Sequence, residues 1–172
     1  MILLNKSQGP TLKTLIGKTS IREMHTSKSC SEWNSFHALD QFMMQNGEKT
    51  RSRKIVQDVF LRLSVHHAQK TKVWLPGSFI FAQALENVKP AFEIRKQRKG
   101  GTTQQVPVPC PIHRQQSLAL RWILEAAREK KKLEFSFTLA QVIYSSFCRE
   151  GKVFQRRNEC HKLAETNRMS IR

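Results

Sequence analysis

The stretch that decides the fold runs from residue 77 to residue 109 and reads GSFIFAQALENVKPAFEIRKQRKGGTTQQVPVP. In its first part, apolar residues recur every three or four positions, which predicts a helix over residues 77–88. Pro90 cannot continue a helix, so the helix must end before it. Beyond Pro90 the apolar residues alternate with charged residues or prolines, and this shorter period indicates extended chain.

The extended part has the pattern of a β-hairpin. Phe92 and Ile94 alternate with charged residues before a glycine pair, and two valines alternate with prolines after it. A glycine pair between two alternating runs is typical of a tight hairpin turn. Because prolines confine the second strand to a sheet edge, we predict a projecting two-stranded arm over residues 91–109.

Helical spacing also predicts two helices before this stretch. They cover residues 35–46 and 50–66, with an Asn-Gly helix stop after the first and a loop over residues 70–76.

Three more helices are expected after the arm. Pro111 opens a fourth helix, Ser136 caps a fifth that stops at Gly151, and a sixth covers residues 157–168. The predicted fold class is mainly α: a helical domain of about six helices over residues 35–172, with the projecting hairpin arm.

Charge limits the possible partners. The 172-residue chain has 30 Lys and Arg against 13 Asp and Glu, a net charge of +17. Self-repulsion of this size favours a polyanionic partner. No stretch approaches the roughly 18 apolar residues of a transmembrane helix, so we expect nucleic acid and not a membrane.

The arm carries the clearest cluster of candidate RNA contacts. Cations crowd the turn, and glycine lets a backbone approach phosphate closely. The alternative is an ordinary solvated charge run. We favour RNA contact because a thin cationic arm buries little apolar surface of its own. The residues are Arg95, Lys96, Arg98, Lys99, Gly100 and Gly101.

Two further basic clusters lie at a helix start and near the C-terminal end. The first comprises Lys49, Arg51, Arg53 and Lys54, and the second includes Arg149, Lys152, Arg156, Arg157, Lys162, Arg168 and Arg172. Arg157, His161 and Arg168 share one side of the sixth helix, which suits a helix lying along phosphates. If six cations neutralise phosphates, log affinity falls with log salt at a slope of about −4 to −5.

The sequence offers little support for an enzymatic function. The sequence has no GxSxG, Walker or GxGxxG motif, and its four cysteines form no CxxC pair. Adjacent His66 and His67 diverge on a helix, so a metal site is not expected. We expect Glu125 and Glu129 to form surface ion pairs and Trp122 to belong to the core, with a stacking platform as its alternative. No enzyme activity and no cofactor are predicted.

Residues 1–34 form a separate, basic N-terminal extension. Up to Lys28 the segment is rich in hydroxyl residues and cations and contains a single acid, Glu23. This composition resembles a mitochondrial presequence. The alternative is a basic arm that lies on RNA.

Several blocks, in order, resemble the bacterial-type small-subunit ribosomal protein seven family over roughly residues 36–172. They are NGEK at 46–49, ALENVKP at 84–90, QVPV at 105–108, LALRWILEAAR at 118–128 and HKLAETNR at 161–168. With the presequence-like start, the resemblance indicates a mitochondrial member.

The resemblance implies a structural role in the small ribosomal subunit. Such a protein binds the 3′ major domain of small-subunit rRNA and supports assembly of the head. Its arm would lie near the exit-site tRNA and the mRNA path, close to ribosomal protein eleven and other head and platform proteins. Four more RNA contacts come from the resembling blocks and the segment after the hairpin: Lys89, Arg114, Arg121 and Asn167.

The chain departs from the family pattern at several places. Gln104 replaces an aromatic residue, so a stacking contact there is in doubt. Pro111, Gln115 and Gln155 replace cations, and the sequence ends at Arg172, before the family's aromatic and basic tail. We expect the contacts of that tail to be missing or replaced.

Two other functions remain as alternatives. One is a free-standing RNA-binding regulator, and the other is an RNA-modifying enzyme, which would need a cofactor motif. The expected location is the mitochondrial matrix, with another organelle or a bacterial-type cytoplasm as the alternative.

Overall fold

The computed structural model describes residues 30–99, 101–130 and 134–171. Within these residues the chain forms six α-helices, one two-stranded sheet and a short final 3-10 helix. In chain order they are α1 (Cys30–Met43), α2 (Lys49–Thr71), α3 (Gly77–Val88), β1 (Phe92–Lys99), β2 (Thr102–Pro109), α4 (Ile112–Glu129), α5 (Phe135–Phe147), α6 (Gly151–Thr166) and the 3-10 turn Arg168–Ile171. The predicted fold class, mainly α with a hairpin arm, is confirmed. None of the described helices has the length and apolar character needed to cross a membrane.

Helix α5 lies at the centre of the helical domain and packs against α2, α3, α4 and α6. The helices α1 to α5 each turn an apolar face inward, and α6 adds Val153. Burying one such Leu or Ile side chain contributes about 1.5–3 kcal/mol. The largest fully buried side chains include Leu39, Leu63, Ile80, Leu85, Ile123, Leu139 and Ile143.

The hairpin has the register of a two-residue turn. Phe92 pairs with Pro109 and Lys99 pairs with Thr102, and Gly101 lies in the turn between the strands. Gly101 has φ of 85°, a conformation that glycine adopts without steric cost. The strands are exposed over residues 95–98 and 102–105 but bury Pro107 near the helical domain. The arm is therefore free at its tip and packed at its base.

Several predicted helix boundaries in the first half were wrong. Helix α1 spans Cys30–Met43 and not residues 35–46. Helix α2 continues to Thr71, five residues beyond the predicted end, and takes in the first part of the predicted loop. It ends where Lys72 adopts φ of 58° and donates its N–H to the carbonyl of Ala68. Glycine is the usual residue at a left-handed helix end. Because Lys72 occupies that position here, the sequence contains no glycine that would mark the end of α2.

The junction of α5 and α6 also differs from the prediction. Ser136 lies inside α5 and is buried, so it does not cap the helix, which follows Glu134. Gly151 does not stop α5; it starts α6, which spans Gly151–Thr166 and ends before residue 168. Burial of Val153 draws this early turn onto the core, a tertiary effect that helical period alone does not reveal.

Candidate nucleic-acid interface

The base of the arm is attached to α6. The N–H of Ala91 donates to Nε2 of His161 at 3.0 Å, and the thiol of Cys160 donates to the carbonyl of Phe92 at 3.4 Å. The rings of Phe92 and His161 meet edge to face, with centroids 6.4 Å apart. These contacts hold the first strand of the arm where it leaves the helical domain.

A second attachment joins the arm to α4. Arg114 donates from two nitrogens to the carboxylate of Glu93, at 2.8 and 3.3 Å. These hydrogen bonds are the main reason that the pKa of Glu93 lies below its usual range. Arg95 approaches the same carboxylate at 3.7 Å. Glu93 therefore links α4 to the first strand, an arrangement that the sequence analysis did not anticipate.

The outer part of the arm presents cations to solvent. Arg95, Lys96 and Arg98 are exposed, and neither Lys96 nor Arg98 forms an ion pair with a described residue. Gly100 and the side chain of Lys99 lie outside the described residues. Contacts with α4 and α6 fix the base of the arm. These cations therefore lie on strands whose position is set by the helical domain.

The start of α2 carries a second group of exposed cations, namely Lys49, Arg51, Arg53 and Lys54. Arg51 pairs with Glu48 at 3.3 Å, and Arg53 lies 3.5 Å from the buried carboxylate of Asp40. The two lysines form no ion pair with a described residue, and the first turn of α2 has no acid. Free N–H groups in this turn add to its positive potential.

Arg157 faces the protein. Its guanidinium donates to the carbonyl of Asn87 at the end of α3, at 2.5 Å, while Asn87 itself donates to the carbonyl of Phe147 at 3.1 Å. His161, one turn further along α6, faces the base of the arm. The side of α6 that was expected to lie along phosphates therefore packs, at these two residues, against the rest of the molecule.

Two cations of α6 pair with glutamates of α4. Arg156 pairs with Glu125 and Lys152 pairs with Glu129, each at 2.5 Å. The predicted surface ion pairs of both glutamates are confirmed. The guanidinium of Arg156 also lies 5.2 Å from the centroid of Trp122, whose half-buried ring packs against the core.

Two cations suggested by the family resemblance have local partners. Lys89 pairs with Glu86 across one turn at the end of α3. Arg121 is exposed, and its guanidinium lies 5.8 Å from the ring centroid of Phe42. Of the two, Arg121 remains open to a phosphate on its outer side.

The end of α6 mixes a cap with free cations. Asn167 donates from Nδ2 to the carbonyl of Leu163 at 2.9 Å and so closes the helix. Lys162 and Arg168 are exposed and form no ion pair with a described residue. Arg168 borders a cavity between α6 and the arm, beside Phe92.

One cation that the sequence analysis did not select lies near the start of α2. Arg128, at the end of α4, and Arg51 line the same cavity, whose apolar lining includes Ile55 and Phe135. The two arginines are far apart in the sequence. Each lies at a helix terminus that is rich in cations, a signal that does not reveal that the two termini border one cavity.

The described residues contain no group of three or more His, Cys, Asp or Glu side chains placed to hold a metal ion. His66 instead packs edge to face on Tyr144, with centroids 4.4 Å apart. Burial is the main cause that lowers the pKa of His66. This histidine has the surroundings of a structural residue.

Comparison with known proteins gives one consistent result. Residues 17–168 match the family model described as "Ribosomal protein S7p/S5e". The chain is 36% identical over 126 residues to small ribosomal subunit protein uS7 of Treponema denticola, covering 73% of this chain and 77% of the relative. Its counterpart in Thermotoga maritima is 40% identical with the same coverage. That of Wigglesworthia glossinidia brevipalpis is 37% identical over 140 residues, 80% of this chain and 85% of the relative. The chain therefore belongs to the ribosomal protein S7p/S5e family.

Proposed function

We propose that the chain is a structural protein of the small ribosomal subunit that binds the subunit's rRNA. Its family is structural and non-enzymatic, and the compared relatives are named small ribosomal subunit proteins. The net charge of +17 suits a polyanion.

The observation that best supports this proposal is that the base of the arm is attached to the helical domain while its outer cations are exposed. Its base is fixed by His161 and by the Glu93–Arg114 pair, whereas Lys96 and Arg98 extend without ion pairs to a described residue. A preorganised cationic arm binds phosphates without first paying the entropy of ordering its base. We assign the arm and the start of α2 as the principal rRNA contacts.

The finer placement rests on the family resemblance. The proposed site is the 3′ major domain of the rRNA, in the head. The arm would then lie near the exit-site tRNA and the mRNA path, beside ribosomal protein eleven.

We also propose that the subunit is mitochondrial. The support is the composition of residues 1–34, which lie largely outside the described residues. Residues 1–34 fused to a fluorescent reporter should direct it into isolated mitochondria in a potential-dependent way. A reporter that stays outside would favour another organelle or a bacterial-type cytoplasm, which the bacterial relatives fit.

Sedimentation tests the structural role. In gradients at high salt, the tagged full-length chain should migrate with the small subunit and its rRNA. A free-standing RNA-binding regulator would remain near the top of the gradient, and that result would contradict the proposal.

A further inference from the structure

A group of exposed apolar side chains covers the outer side of α2 and the segment that follows it. Their exposed fractions are 64% for Leu61, 47% for Val65, 57% for Val73 and 69% for Trp74. We call these four residues the α2 patch. None of them belongs to the candidate RNA contacts, and contiguous exposed apolar patches commonly mark interaction sites.

Leu61 and Val65 share one face of α2, and Val73 and Trp74 lie on the segment that returns along this helix. Helix α2 ends at Thr71, yet Gly77 packs so closely on Phe60 that an added methyl group would overlap the Phe60 carbonyl. Residues 72–76 must therefore run back along about 16 Å of α2, a distance that an extended segment of this length just covers. The returning segment therefore ends beside Phe60, the residue that precedes Leu61.

One residue of this segment fixes its orientation. Leu75 is half-buried and packs against the core. Its neighbour Trp74 is the most exposed of the four patch residues. An indole held in solvent on an anchored segment loses little conformational freedom on binding, and Trp is enriched among interface hot spots.

One end of the patch is cationic, because Lys72 immediately precedes Val73. Lys72 is exposed and forms no ion pair with a described residue. The nearest acid on this face, Asp58, already pairs with Arg62 at 2.9 Å.

We propose that the α2 patch docks a neighbouring protein of the subunit through an apolar helix or strand flanked by Asp or Glu. This inference rests on the proposed function. The side chains of Leu61, Val65 and Val73 are aliphatic and offer RNA neither a hydrogen-bond donor nor an aromatic face, and the adjacent Lys72 complements carboxylates. A second copy would instead set lysines against lysines in a chain of net charge +17.

Photo-crosslinking from the patch tests this docking. The full chain with p-benzoylphenylalanine at position 61 is assembled into small subunits, which are isolated by sedimentation and irradiated. The expected product resists ribonuclease and joins position 61 to a different protein. The joined peptide should contain apolar residues with acids beside them. A cross-link to rRNA or to a second copy overturns the inference.

Two variants separate apolar and charged contributions. Trp74→Ala should lower the cross-link yield about tenfold or more, as expected for a hot spot. Lys72→Glu should lower it a few-fold, whereas Lys130→Glu, an equal charge change at the end of α4, should leave it unaltered. Unchanged yields in the first two variants would overturn the inference.

A control position and the sedimentation step distinguish a failure of the docking inference from a failure of the proposed function. The same photo-crosslinker at the exposed Gln141 of α5 should not give this product. Subunits that contain the chain but yield no protein cross-link from position 61 overturn only the docking. A chain absent from the subunits overturns the proposed function and the docking together.

Discussion

Ala91 donates its backbone N–H to Nε2 of His161, 3.0 Å away, and this bond joins the arm to α6. Only a neutral imidazole has a ring nitrogen that accepts a hydrogen bond. Burial, and then the nearby charge of Arg157, lower the pKa of His161 below its ordinary value of 6.5. The lowered pKa therefore favours the neutral imidazole of His161, which is the form that accepts this hydrogen bond.

This bond predicts that acid loosens the arm. Because the folded pKa of His161 is lowered, its contribution to stability is complete above the ordinary value and is lost as pH falls below 6.5 through the folded pKa. The exchange protection of the Ala91 amide, measured by NMR and corrected for intrinsic rate, should decline over that window.

A matched variant isolates this effect. The pKa of His66 is also lowered, so His66 adds to the global pH dependence with the same sign. In His66→Phe the decline at Ala91 should persist. Constant protection of the Ala91 amide from about pH 7.5 to about pH 5, on either side of the ordinary histidine pKa, would show that His161 does not hold the arm in this way.

Neighbouring arginines of α6 should differ sharply in their effect on stability. Arg157→Ala removes the donor to the Asn87 carbonyl and should lower the free energy of unfolding in urea by about 1–3 kcal/mol. Arg156→Ala breaks an exposed pair with Glu125 and should cost less than about 1 kcal/mol. Equal costs for the two variants would contradict the inward role of Arg157.

Replacing Gly77 with alanine should change stability in the direction opposite to the one that helix propensity predicts. Alanine normally stabilises a helix relative to glycine by up to about 1 kcal/mol. Here a methyl group would overlap the Phe60 carbonyl, so Gly77→Ala should lower the unfolding free energy by about 1–3 kcal/mol. Ser78→Ala, one residue on, should have little effect. A Gly77→Ala protein more stable than the wild type would refute the close packing of α2 and α3.

The pair of Glu93 and Arg114 should be coupled energetically. A double-mutant cycle of Glu93→Ala and Arg114→Ala should give a coupling energy of about 0.2–1 kcal/mol, because the Arg114 side chain is exposed. The lowered pKa of Glu93 means that this contribution is present near neutral pH and is lost as pH falls through the folded pKa. A coupling of zero at neutral pH would mean that α4 does not hold the arm.

Local signals sufficed for the arm and for the family. The change of apolar period at Pro90 predicted the hairpin, and the glycine pair placed its turn. The ordered blocks indicated the family. These features lie in continuous sequence, so no knowledge of tertiary contacts was needed.

The contacts that fix the arm were beyond such reasoning. His161 and Ala91 are far apart in the sequence, as are Arg114 and Glu93, and nothing local distinguishes a cation that faces phosphate from one that binds within the protein. The start of α6 was missed for a related reason. It depends on the burial of Val153, whereas the visible signal at Gly151 suited a helix end equally well.

The proposed binding of rRNA by the arm is tested most directly by the salt dependence of the affinity for a fragment of the 3′ major domain. The affinity is measured for the wild type and for the triple variant Arg95→Glu, Lys96→Glu and Arg98→Glu. We expect a wild-type slope of log affinity against log salt of about −4 to −5. The variant should bind far more weakly, with a slope shallower by up to about 3. A control with equal charge change at Lys70, Lys72 and Lys130 should keep the wild-type slope. An arm variant with the affinity and slope of the wild type would contradict the account.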